Sequence, residues 1–209
     1  MKRIVFVIVV MVGVYACISK DDNEARSIKL NDKANNIYMR IGIPTNSNDS
    51  VLIGDALMLL DSAIQLDSLN KSAYVNKMNI LTSTKEYGQA ISVIRSLQLL
   101  DSHNYYYFFL EGCALYKSED SKKAFDKFTI SLNKFDSKYA NTTSENIIIR
   151  RAVLIAFLQG KESAIEYVKS SLDSSNELNL NVFIESVLES FEIESFIDNS
   201  IFTRSEQLK

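Results

Sequence analysis

The run Tyr105-Tyr106-Tyr107-Phe108-Phe109 is the feature of this sequence most able to do chemistry. In a helix, successive side chains are rotated by about 100°, so five consecutive aromatic rings point to every side and cannot all enter one core. A ring left at the surface can stack on a sugar or grip a partner's side chain. Catalytic chemistry has far less to work with. His103 is the one histidine and has no second His or neighbouring Cys, so a metal centre and a Ser-His-Asp relay both lack parts. Cys113 has no histidine base beside it and reads as a small buried residue. The six glycines, Gly13, Gly42, Gly54, Gly88, Gly112 and Gly160, are scattered, which leaves neither a phosphate-binding loop nor a dinucleotide turn. Among 26 acidic residues, carboxylate pairs arise without meaning. The reading is of a non-enzyme with no catalytic residue, metal site or cofactor.

Composition bounds what must position these residues. The chain has 209 residues, 46% of them apolar and 23% charged, enough for an ordinary core in one domain or two small ones. Lys and Arg number 23 against those 26 acids, a formal charge of -3, which removes the electrostatic basis for nucleic-acid binding. Two cysteines and one histidine exclude a zinc finger and a disulfide-stapled fold.

The first residues read as an address. Met1-Lys2-Arg3 is a positive start, and the apolar run from Ile4 to Val14 falls short of the roughly 20 residues a transmembrane helix needs. It ends in Val14-Tyr15-Ala16-Cys17, which resembles a bacterial lipobox, with Tyr15 as a departure. The resemblance implies a signal peptide over 1–16 and a lipid on Cys17, placing an outer membrane lipoprotein on the periplasmic or cell-surface side. Ordinary signal cleavage and an uncleaved anchor are the other readings. Lys20-Asp21-Asp22 is similar to an acidic surface-export signal, and reads equally as a charged tether. Residues 17–50, rich in Asn, Asp, Ser and Lys and holding the one proline, Pro44, read as a polar tether with at most a short helix around Lys29 to Arg40.

Beyond Ser50 the chain repeats. Leu66-Asp67-Ser68, Leu100-Asp101-Ser102, Phe135-Asp136-Ser137 and Leu172-Asp173-Ser174 recur at spacings of 34, 35 and 37, while Ala56, Ala90, Ala124 and Ala164 recur at 34, 34 and 40. Around each alanine the apolar residues keep helical spacing, as in Ile53, Ala56, Leu57, Leu60, Ala63 and Ile64. These segments predict second helices of helix pairs, with first helices at Ser72 to Thr82, Tyr105 to Lys117 and Ser144 to Gln159. The first unit lacks a convincing first helix. Leu180, Phe183, Ile184, Val187, Leu188 and Phe191 form a last stripe suited to closing the stack.

The pattern resembles the tetratricopeptide repeat, a helix-turn-helix family with a period of about 34, over roughly Val51 to Ser174. Units starting at Lys71, Tyr105 and Glu145 put Tyr74, Phe108 and Ile148 at the bulky fourth position, Gly112 and Ala152 at the small eighth, and Ala90, Ala124 and Ala164 at the twentieth. Met78 at the eighth, Leu97 at the twenty-seventh and Ser102 in place of the usual proline depart from it. The resemblance implies an all-α right-handed superhelix of antiparallel helix pairs over 51–175, with an acidic capping helix and tail over 176–209 and no β-sheet. It also implies a concave groove lined by Asn76 and Asn79 in the second unit, by Tyr106, Phe109, Leu110, Cys113 and Tyr116 in the third, and by Arg150 in the fourth. The asparagines resemble part of a carboxylate clamp whose lysines are missing here. The expected function is therefore protein–protein interaction in the cell envelope, a protein or peptide partner lying in the groove and the lipid holding the membrane. An accessory role in outer-membrane or pilus assembly and glycan capture at the surface are the alternatives.

Overall fold

A computed structural model describes residues 2–41, 47–140, 142, 144–172 and 177–202, with side chains from residue 21 onward except 47, 48 and 177. All regular structure among them is helical. Two compact units divide the chain, residues 1–80 and 81–209, the boundary falling inside the third helix.

In the first unit, α1 (Lys2–Ile41) packs against α2 (Ser47–Leu66), followed by α3 (Lys71–Ser83). Its core joins Ala34 and Tyr38 of α1 to Ile53, Ala56, Leu60 and Ala63 of α2 and to Ala73 and Ile80 of α3. The expectation of a polar tether over 17–50 is thus corrected from Asp21 to Ile41, where the chain is a packed helix; the Cys17 side chain and Pro44 lie outside the described residues. The buried face of α1 is Ser27, Asn31, Ala34 and Tyr38, spaced 4, 3 and 4 apart as a helix stripe requires. Half of that stripe is polar, so hydropathy hides it. The polar members are satisfied across the interface: the Ser27 hydroxyl donates to the Ala63 carbonyl at 2.7 Å, and Asn70 Nδ2 donates to the Ser27 hydroxyl at 2.8 Å. α1 is thus the helix that pairs with α2, a partner the sequence did not display.

The second unit continues with α4 (Tyr87–Leu100), α5 (Tyr105–Lys117), α6 (Ser121–Tyr139), α7 (Glu145–Gln159) and α8 (Lys161–Ser170), each packed on the next. The expected pairs α5–α6 and α7–α8 are therefore present, and α3 and α4 form as helices at the expected residues. Their turns repeat as well. Lys85 (φ 62°) and Glu119 (φ 66°), one repeat length apart, both adopt the left-handed conformation after a helix. In each case the following amide closes a six-residue bond, Glu86 N–H to the Leu81 carbonyl at 2.8 Å and Asp120 N–H to the Leu115 carbonyl at 3.0 Å, which is the Schellman stop. Gly160, at φ 89°, makes the tight α7–α8 connection.

Packing between α5 and α6 depends on Gly112, because a β-carbon there would overlap the ring of the fully buried Phe128. This is the close approach that the small eighth position implied. The chain ends in α9 (Glu177–Phe183), which runs into a π-helical turn at Ile184–Leu188, and α10 (Ile193–Phe196), which runs into another at Ile197–Ile201. Leu180, Phe183, Ile184, Leu188 and Phe191 of the expected closing stripe are buried, while Val187 is half-buried. The fourth apolar-Asp-Ser step is only partly described, since residues 173 and 174 lie outside the described set.

Candidate functional site

The start of α5 distributes its aromatic run. Asn104 caps the helix, its side-chain oxygen accepting the Tyr106 N–H at 3.1 Å. Tyr105 turns into α6, edge-on to Phe135 with centroids 4.8 Å apart. Phe108 receives the ammonium of Lys134 at 4.8 Å from its ring centre. Phe109 enters the core between Phe157 and Phe128, at centroid distances of 4.9 and 5.7 Å. Tyr106 lies over Phe109 at 6.1 Å and stays 42% exposed.

Tyr106 and Phe109 wall a cavity of about 530 Å3 within the second unit. From α6 come Lys138 and Tyr139; α7 adds Arg150 with Ile149, Val153 and Leu154, and the C-terminal segment adds Phe196 and Ile201. No Asp or Glu lines it. Five cations of the second unit pair with carboxylates: Arg95 and Lys127 with Glu111, Lys117 with Glu194 and Asp198, Lys123 with Asp120, Arg151 with Asp136. Arg150 and Lys138 have no ion-pair partner among the described residues. Burial pushes the Tyr106 hydroxyl up to about 12, with Cys113 and Tyr105 adding to the shift and the nearby Arg150 charge opposing it. At neutral pH that hydroxyl is a neutral donor beside two unmatched positive charges.

Of the residues expected in the groove, Tyr106, Phe109 and Arg150 meet at this cavity. Leu110 does not; it is 3% exposed and belongs to the core of the unit. Cys113 is fully buried, and desolvation holds its thiol well above the usual range. Tyr116 lies nearly three helical turns beyond Tyr106, roughly 15 Å along the helix, in a separate hollow with Tyr87, Lys117 and Glu194. The strip of three aromatic residues is thus split. Asn76 and Asn79 lie in the first unit, where Asn79 is exposed and Asn76 Nδ2 donates to Asn31 Oδ1 of α1 at 2.8 Å, a structural bond.

Sequence reasoning passed over Glu111, the most deeply buried acid of the described chain at 0% exposure. Arg95 Nε and Gln98 Nε2 from α4 and Lys127 Nζ from α6 each reach its carboxylate at 2.8 Å. Burial alone would raise its pKa, and these donors outweigh that penalty and hold it below the ordinary glutamate value. The signal was present as a lone acid between Leu110 and Gly112, with Arg95 and Lys127 equally far before and after it in the chain.

Among the described residues no cluster of three or more His, Cys, Asp or Glu is placed to hold a metal ion, and no helix is long and apolar enough to cross a membrane. Compared with known proteins, the chain finds no match among protein-family models or among curated proteins.

Proposed function

We propose that the protein is a non-enzymatic interaction module of the bacterial cell envelope. Its helix pairs are read as a tetratricopeptide-like right-handed superhelix, and lipid on Cys17 tethers it to the outer membrane. A protein or peptide partner is held against the second-unit face that carries Tyr106, Phe109 and Arg150. The observation that carries this reading is the meeting of an exposed tyrosine with two cations at an aromatic cavity that no carboxylate lines. Exposed aromatic and arginine side chains beside a pocket are the usual anchors of an interface. The repeat reading is supported by the two Schellman stops set one repeat length apart and by the small residue that sets the α5–α6 approach.

Crosslinking followed by pull-down from native membranes tests the interaction. The wild-type chain is expected to retain one defined partner that Arg150→Glu loses; equal recovery by both contradicts the assignment of this face. The anchor is tested separately by metabolic labelling with a radioactive fatty acid. Label on the wild type and none on Cys17→Ala is the expected result, and equal labelling of both rejects it.

A further inference from the structure

We propose that the cavity between α5, α6 and α7 binds a small amphipathic anion, an apolar chain ending in one negative group, independently of any protein partner. Its volume of about 530 Å3 lies inside the roughly 300–1,000 Å3 span of small-molecule sites. Its lining is of two kinds. Phe109, Phe196, Val153 and Leu154 offer an apolar wall, whereas Arg150 and Lys138 bring two positive charges unmatched by any lining carboxylate. Asn104 and Lys138 also border a second hollow of about 600 Å3, lined further by Asp101, His103, Ile130, Asn133, Lys134 and Ser137. The two hollows therefore meet at Asn104 and Lys138, and the Asp101 carboxylate lies on the side of the second one.

Arg150 and Lys138 are exposed, so a neutral ligand would gain nothing from either charge, and a small hydrophilic anion would leave the aromatic wall wet. An alkyl carboxylate satisfies both: its chain lies on Phe109 and Phe196, and its head sits between Arg150 and Lys138, with the neutral Tyr106 hydroxyl as a further donor. The negative head can belong to a free carboxylate or to an anionic bilayer lipid; the recognising chemistry is the same.

The full chain, reconstituted in vesicles of zwitterionic phosphatidylcholine, is photolabelled with a diazirine-bearing dodecanoate and the labelled peptides are mapped by mass spectrometry. Label is expected on α5, α7 and the 193–201 segment. Unlabelled dodecanoate should displace it, and dodecanol and acetate should fail to do so at the same concentration. The double variant Arg150→Met, Lys138→Met, whose helicity is checked by circular dichroism, should lose at least tenfold of the label. Displacement by phosphatidylglycerol vesicles assigns the site to bilayer lipid, and its absence assigns it to the free acid. Equal displacement by dodecanol, unchanged labelling of the double variant, or label spread outside the cavity would overturn the proposal. Because no partner is present, failure here leaves the interaction reading standing, and loss of partner capture leaves this result untouched.

Discussion

Glu111 ties three helices of the second unit together through one carboxylate. Its carboxylate sits where α4, α5 and α6 converge, and three donors hold it ionised. Replacing it with glutamine keeps the volume and removes the charge, at an expected cost of about 1.5–3 kcal/mol for hydrogen bonds to a charged group. The pH dependence has a definite sign. Because the folded pKa is lowered, the contribution of Glu111 is complete above the ordinary glutamate range and fades as pH falls through it toward the folded value. Urea denaturation should therefore show wild type well above Glu111→Gln at neutral pH, with the gap closing in acid; a pH-independent gap rejects this role. Much at this scale was not legible in the sequence. Tyr106 was marked by the aromatic run, but which of the five rings stays exposed depends on how α5 packs between α4 and α6. Lys138 and Tyr139 come from the far end of α6, nearly a full repeat downstream of Tyr106, and only the folded chain brings them to it.

At the scale of elements the repeat was the legible part, because alanine and glycine spacing reports directly how closely helices approach. Gly112→Ala tests this without touching the cavity. Its methyl group must displace Phe128, which is fully buried, so overpacking of about 1–3 kcal/mol is expected and a clear fall in melting temperature should follow. An unchanged melting temperature would mean that the α5–α6 approach is looser than described. α1 was illegible for the opposite reason: its buried stripe carries Ser27 and Asn31, whose worth comes from hydrogen bonds that no hydropathy pattern displays. The closing segment combines both cases. Its apolar stripe was readable, whereas the fate of its acids was not, since Glu194 and Asp198 each accept from Lys117 Nζ at 3.0 Å. Burial by itself would lower the Lys117 pKa; these two carboxylates prevail and raise it, so their hold persists at neutral pH and is lost as pH rises through the raised value. Both acids are exposed, and exposed pairs are worth about 1 kcal/mol or less. Lys117→Met should accordingly speed amide hydrogen exchange across residues 193–201 while leaving the global stability nearly unchanged. Equal exchange in both proteins would show that apolar packing alone holds the segment.

For the whole molecule, charge is the organising quantity. The chain is acidic, five cations of the second unit pair with carboxylates, and two of those without an ion-pair partner among the described residues, Arg150 and Lys138, line one aromatic cavity that no carboxylate lines. That concentration is what the interaction reading rests on, and Tyr106 at its rim is the residue whose two fates differ most. If it is an anchor, Tyr106→Ala removes on the order of 2 kcal/mol or more of binding and little stability; if it serves the core, the same change costs roughly 3–5 kcal/mol of folding. The most direct measurement is therefore partner capture from native membranes together with melting temperature, on wild type and Tyr106→Ala side by side. The account predicts capture falling at least tenfold with a melting temperature within a few degrees of wild type. Undiminished capture, or a collapse of the melting temperature with the loss of capture following from it, would contradict it.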